Sequence, residues 1–216
     1  MKHPESMDHS EFAASIFDKY AEGYQSRFMD ISAYHDSLDV LLAAISVKAA
    51  KVLEVACGPG NVTQYLLQKR PDLQILGTDL SPNMLALAQA NNPTAQFELL
   101  DGRAILQVPE QLDAIVAAFF FPYISKEEAL RFIQDSATKL APGGVLYIST
   151  MEDDYAKSGI RKGSQGDEIF MHFHEAGYLT AQLKACGFDL LYESRVRAAG
   201  PDGDVDLILI ARKTGK

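Results

Sequence analysis

The sequence predicts a doubly wound α/β fold, mostly parallel, with helices on both faces of the sheet and an antiparallel edge. Three observations predict it. Strand-like and helix-like segments alternate along most of the 216 residues. The strand-like segments are short, continuous apolar runs, as in strands buried on both faces. The last two strand-like segments have no helix between them, so they pair antiparallel or lie apart.

Taken in order, residues 11–30 read as helical and aromatic, with Phe12, Phe17, Tyr20, Tyr24 and Phe28 on overlapping faces. Leu38, Leu41, Leu42 and Ile45 keep the spacing of a buried helix face. Lys51–Ala56 is a strand that runs into Cys57-Gly58-Pro59-Gly60, and Val62, Tyr65 and Leu66 open the next helix. Gln74–Asp79 repeats the design. There Ser81 is an N-cap and Pro82 the first helical residue, with Met84, Leu85 and Ala88 on the apolar stripe. Ala95–Leu99, Leu112–Ala118 and Gly144–Thr150 are further strands. Ser125 and Glu128 form a capping box for a helix reaching about Leu140. Leu179 and Leu183 mark a helix stopped by Gly187. Phe188–Val196 and Val205–Arg212 are joined by the turn-rich Gly200-Pro201-Asp202-Gly203. One domain over residues 1–216 is expected, with an N-terminal helical lid over 1–35. A mobile, substrate-covering segment is expected over 152–172, which is polar and carries Gly159, Gly163 and Gly166.

Lys+Arg is 20 against 29 Asp+Glu, a formal charge of −9. That balance argues against a phosphate-backbone binder and against docking on anionic membranes, so neither nucleic acid nor membrane is an expected partner. Cys57 and Cys186 cannot build a disulfide framework or a zinc site. The start, Met1-Lys2-His3-Pro4-Glu5, has no apolar signal core. The most apolar run, Ala114–Ile124, is shorter than the ~20 residues of a membrane span. A cytoplasmic protein with reduced thiols is expected.

In open α/β sheets, ligands bind beyond the carboxyl ends of the strands, where strand order reverses. The first such end reads Glu54-Val55-Ala56-Cys57-Gly58-Pro59-Gly60-Asn61. Its glycines allow close backbone approach. Asp79, at the end of the second strand, can accept bonds from both ribose hydroxyls. Asp101, at the end of the third, can accept one from an adenine amine. Thr63 stands where a dinucleotide loop would carry its third glycine, and Glu54 would repel a pyrophosphate. The chemistry favours a cationic, phosphate-free adenosine, and S-adenosylmethionine fits that description.

The motifs also resemble those of the class I S-adenosylmethionine-dependent methyltransferases. Val52–Asn61 looks like their first motif, Thr78–Leu85 their second and Asp101-Gly102 their third. Leu112–Val116 looks like the fourth, and Leu140–Leu146 like the segment before strand five. The resemblance runs from about Phe17 to Arg212. It implies a seven-stranded sheet whose last strand is antiparallel. It also implies cofactor contacts from Glu54, Ala56, Gly58, Gly60 and Asn61 on the methionine side. Asp79 would bind ribose, Leu80 and Met84 the adenosine face, and Asp101, Gly102 and Arg103 the adenine. The backbone at Ala118 and Phe119 would face the ammonium. A lid tyrosine closes over the cofactor in many relatives; Tyr20 is the preferred match, with Tyr24 placed toward substrate.

The acceptor is less legible. A small molecule is expected, since the chain shows no appended nucleic-acid or peptide module. Phe121 and Tyr123, in the run Phe119–Tyr123, are candidate substrate contacts, as is Met151 after the fifth strand. His172 and His174 are the candidate bases, because histidine titrates near neutrality. Glu152, Asp153 and Asp154 read as a solvated acidic loop, and no metal is expected. Two rival readings stay open: a nicotinamide-dependent oxidoreductase, and a non-catalytic or regulatory protein that binds S-adenosylmethionine. The sequence does not indicate an oligomeric state.

Overall fold

The structure, a computed structural model, describes residues 8–162, 166–197 and 204–215. The expected turn at 200–203 and Gly163 lie outside these residues. Its elements are α1 (His9–Lys19), α2 (Ala21–Phe28), α3 (His35–Ala44), β1 (Lys51–Val55), α4 (Asn61–Lys69), β2 (Gln74–Asp79), α5 (Pro82–Asn91) and β3 (Gln96–Leu99). These are followed by β4 (Leu112–Ala118), α6 (Lys126–Lys139), β5 (Leu140–Glu152), β6 (Gly159–Lys162), β7 (Glu168–Met171), α7 (Ala176–Ala185), β8 (Phe188–Arg197) and β9 (Val205–Lys213).

The main sheet has seven strands in the order β3-β2-β1-β4-β5-β9-β8. β1 to β5 pair parallel, and β9 runs antiparallel to both of its neighbours. The fold class is the one expected, with one difference of placement. The antiparallel strand is not the edge: β9 fills the gap between β5 and β8, so β8 is outermost. β5 also starts earlier than expected, at Leu140, and a register shift between Leu112 and Ala114 absorbs the Pro142–Gly144 segment.

The two faces of the sheet bury separate clusters. On one, Leu53, Ile115, Leu146 and Leu209 pack under α6 and α7 with Phe132, Ile133, Leu179 and Leu183. On the other, Val52, Ala114, Tyr147 and Ile208 pack against α3 and α4 with Leu38, Leu41, Val62 and Leu66. Local signals place the helices: Ser81 Oγ caps α5 through Met84 N, and Ser125 with Glu128 forms the full capping box of α6.

α1 and α2 belong to neither layer. They rest on α5, β7 and the 3-10 turn Phe121–Tyr123, across the carboxyl ends of the strands. Hydrogen bonds fasten α1 at both ends. Asp8 caps it and pairs with Arg103, while Asp18 accepts from Ser81 Oγ and from Asn83 N. The 152–172 region is more regular than its polarity suggests. β6 and β7 form a separate antiparallel hairpin, Gly159↔Met171 to Lys162↔Glu168. No helix among the described residues is long and apolar enough to cross a membrane.

Candidate active site

Strand order reverses between β1 and β4, and the backbone is forced into unusual conformations at both carboxyl ends. Ala56 after β1 and Phe119 after β4 have φ of 51° and 55°. Side chains rarely take this left-handed region, and such strain clusters at functional sites. Gly58 (φ 52°) and Gly60 (φ 77°) continue the bend and open α4.

The two glycines differ. A Cβ on Gly58 would meet nothing nearer than Tyr24 Cε1 at 3.9 Å, whereas one on Gly60 would sit 2.5 Å from Asn92 Nδ2. Gly58 therefore faces space, and Gly60 faces packed α5 and lines neither cavity. Asp79 sits beside Gly58: its Oδ2 accepts from Gly58 N and its Oδ1 from Ser81 N, each at 2.9 Å. Burial raises its pKa, opposed by those same amides.

Glu54 is only 1% exposed. Burial lifts its pKa to about 7, against a hydrogen bond donated by the Thr63 hydroxyl, with the Asp79 charge adding to the rise. Thr63 thus fills the place of a third glycine with a side chain that serves Glu54, which disfavours a dinucleotide loop.

Two adjoining cavities open over these residues. The smaller, about 110 Å³, is lined by Asp79, Leu80, Met84, Leu100, Asp101 and Gly102 below, and by Ser10, Ala13, Ala14 and Phe17 of α1 above. The larger, about 790 Å³, runs from Glu54, Cys57 and Asn61 out to Met151 of β5 and to Ile169 and Met171 of the hairpin. Phe17, Tyr24, Ala56, Gly58, Ala118, Phe119 and Tyr123 wall both.

Most of the expected residues therefore lie on one of these walls, but several stand elsewhere or act differently. Arg103 lines neither cavity; its guanidinium grips Asp101, Asp8 and Glu128, so it holds Asp101 from behind. Tyr20 reaches only the larger cavity, while Tyr24 spans both and stands over Gly58. Burial, with the Asp79 charge, pushes Tyr24 up to about 12. Asn61 lines the larger cavity, but its amide donates to Phe28 O at 2.7 Å, tying the glycine loop to α2. Phe121 is fully buried against Phe132 and His174, a core residue and not a cavity contact.

His172 and His174 also line neither cavity. The backbone of this stretch is stitched inward, His172 N to Pro122 O and His174 N to Met151 O. His174 Nε2 donates to Phe121 O at 2.9 Å and its Nδ1 accepts from Tyr178. Burial holds it down to about 4, a neutral core histidine. His172 faces Tyr155 Oη at 3.2 Å. The acids after β5 are spent on neighbours: Glu152 pairs with Arg195, Asp153 with Lys157, and Asp154 caps a short turn.

Some wall residues were not expected. Phe17, Leu100 and Phe120 line the smaller cavity. Tyr34, Tyr147 and Ser149 line the larger. Behind Tyr34, its hydroxyl donates to Asp206 Oδ2 at 2.7 Å. Asp206 had a sequence signal: a lone acid inside the apolar strand Val205–Lys213.

A family described as "Methyltransferase domain" matches residues 52–144, which hold the glycine loop, Asp79 and Asp101. The chain is 31% identical, over 149 residues, to an uncharacterized methyltransferase of Geobacillus kaustophilus, covering 67% of this chain and 66% of that one. The chain belongs to the class I S-adenosylmethionine-dependent methyltransferases. Within that family, it is 38% identical over 109 residues to a trans-aconitate 2-methyltransferase of Variovorax paradoxus. That match covers 50% of this chain and 41% of the relative, so the chain spans less than half the length of that curated relative. The methyltransferase fold extends over the whole chain. The 1,6-didemethyltoxoflavin-N1-methyltransferase of Burkholderia thailandensis superposes with TM-score 0.71 at 21% identity, covering 100% of this chain and 94% of that one.

Proposed function

We propose that the chain transfers a methyl group from S-adenosylmethionine to an oxygen, nitrogen or carbon nucleophile of a small molecule, in the cytoplasm. The observation that carries this reading is the pair of carboxylates, buried Glu54 and half-buried Asp79, flanking Gly58 where strand order reverses. They suit a cationic adenosine without phosphates. The remaining walls fit the same ligand: open space at Gly58, an apolar slot between Leu80 and Met84, and Asp101 at its far end. The free thiols of Cys57 and Cys186 support a reducing compartment.

In this reading Asp79 takes the ribose hydroxyls, and Asp101, fixed by Arg103, takes the adenine amine. Glu54, Ala56, Gly58, Ala118 and Phe119 surround the methionine part. Bound there, S-adenosylmethionine supplies an activated methyl group on a cationic sulfonium. The chain's own work is positioning and exclusion of water, since an activated donor leaves much of catalysis to orientation. Tyr24 and Phe17 of the lid cover the junction of the two cavities. Met151 and Tyr123 face the acceptor side.

Calorimetric titration with S-adenosylmethionine, S-adenosylhomocysteine and NADH tests the reading, with Asp79→Ala alongside. Both adenosyl ligands should bind. The variant, losing two charge-assisted bonds to ribose, should weaken them about a hundredfold or more. Heat with NADH, or none with either adenosyl ligand, overturns the proposal.

A further inference from the structure

Among the described residues that line the larger cavity are the carboxylates Asp30, Glu54, Asp167 and Asp204 and one cation, Arg27; Asp167 also pairs with Lys19, and Asp204 with Arg161. The rest of the wall is dominated by rings. Phe17, Tyr24 and Phe28 come from the lid, and Tyr34, Phe119 and Tyr147 from the sheet side. Several are already locked edge to face: Phe17 with Tyr24 at 5.5 Å and Tyr34 with Phe119 at 5.3 Å between centroids. A chamber of this kind offers stacking surface and little for an anion. Bringing a polycarboxylate into a wall with one lining cation is unfavourable, and the aromatic faces are themselves negative.

Tyr34 supplies a fixed polar point in this wall. Its hydroxyl proton is committed to Asp206 Oδ2, and Asp206 is itself buried. The phenolic oxygen keeps lone pairs to accept a bond from a guest. A few fixed polar groups in an apolar pocket are what orient a small ligand.

We propose that the methyl acceptor is a flat, uncharged ring system bearing a hydroxyl group, stacked between the lid and sheet aromatics with its hydroxyl donated to Tyr34. Tricarboxylates of the trans-aconitate kind find one lining cation in this largely apolar and aromatic wall and are disfavoured there. The inference rests on the methyl-transfer reading above and names the acceptor class for the same site.

The test is calorimetry on the full chain saturated with S-adenosylhomocysteine. The ligands are 2-naphthol, 2-naphthoate and trans-aconitate. The first two share a ring and differ in charge. 2-Naphthol should bind about tenfold or more tighter than 2-naphthoate, and trans-aconitate more weakly still. Tyr34→Phe should weaken 2-naphthol about threefold to tenfold, the worth of one hydrogen bond, with S-adenosylhomocysteine affinity unchanged. Equal or tighter binding of either anion, or no binding of 2-naphthol, overturns the acceptor class. An unchanged 2-naphthol affinity in Tyr34→Phe overturns the anchoring role. Failure of S-adenosylhomocysteine to bind, measured first, breaks the methyl-transfer reading instead, so the two failures are distinguishable.

Discussion

The two cavities meet at Gly58 and Tyr24, yet they are built in opposite ways. The floor of the smaller cavity comes from the ends of three consecutive strands: Ala56 and Gly58 after β1, Asp79 and Leu80 after β2, Asp101 and Gly102 after β3. Its chemistry is carried by backbone bends and by acids at fixed distances from them. The larger cavity gathers side chains from α2, the 3-10 turn Ser32–Tyr34, β5, the hairpin and the start of β9. Residues 16–34 and the glycine loop supply more than half of its walls, and the remainder comes from strands and a hairpin far apart in the chain. The first kind of site constrains local sequence, because only certain residues tolerate the backbone; the second constrains only what the fold brings together.

The difference is tested most severely inside the glycine loop. Gly60→Ala places a methyl 2.5 Å from Asn92 Nδ2 and 3.2 Å from the Ala88 backbone, at a φ of 77°. It would also displace an amide that donates to Gly60 O at 2.9 Å and Ala88 O at 3.2 Å. The expected loss is about 2–4 kcal/mol of stability, from the left-handed penalty plus disrupted hydrogen bonds. Gly58→Ala should cost only about 1–2 kcal/mol, the backbone penalty alone. It should instead weaken S-adenosylhomocysteine binding, because its methyl enters the cavity. Urea unfolding and calorimetry on the pair check this. A Gly58→Ala protein that binds normally would remove Gly58 from the ligand-facing wall.

How far each region was legible follows from the same contrast. All seven strands of the main sheet, the Ser125–Glu128 capping box and the stop at Gly187 were readable, because apolar period and cap chemistry are local. Asp79 was readable for the same reason. Phe121 was misplaced because a run of aromatics hides its own geometry. The positive φ of Phe119 turns the chain, so Phe119 and Tyr123 face the cavities while Phe121 enters the core beside Phe132. His172 and His174 were misplaced because their partners, Tyr155, Tyr178 and Phe121 O, are 4 to 53 residues away. Nothing local marked Tyr34, but the acid beneath it, Asp206, stood out in an apolar strand.

Glu54 and His174 sharpen the comparison through pH. Burial raises Glu54 from 4.5 to about 7, so between those values the folded chain holds a proton that the unfolded chain has released. Its contribution to stability is present below about pH 4.5 and is lost as pH rises through 7. Burial lowers His174 from 6.5 to about 4. Its contribution is present above about pH 6.5 and is lost as pH falls through 4. Between pH 4.5 and 6.5 the two slopes oppose, each at most about 1.4 kcal/mol per pH unit. The difference in unfolding free energy, Glu54→Gln minus wild type, should therefore rise with pH over this interval by about 1 kcal/mol per unit. Carboxylates common to both proteins cancel in that difference. A flat difference would mean that Glu54 ionises normally in the folded chain and is not a desolvated acid in the wall of the larger cavity.

The smallest expected effect concerns His172. It is 8% exposed, lines neither cavity, and its Nδ1 shares a single hydrogen bond with Tyr155. Its position is fixed from the backbone, where its amide donates to Pro122 O at 2.8 Å. His172→Gln keeps that amide and a side-chain amide for Tyr155, so the stability change should stay near 1 kcal/mol. The rate of methyl transfer to a working acceptor should stay within about twofold, since general-base catalysis is typically worth about a hundredfold or more and none is assigned to this ring. A fall of that size, with S-adenosylhomocysteine affinity unchanged, would show that the hairpin carries its histidine into the chamber during turnover. The acceptor wall would then include a residue that neither cavity reaches in this conformation.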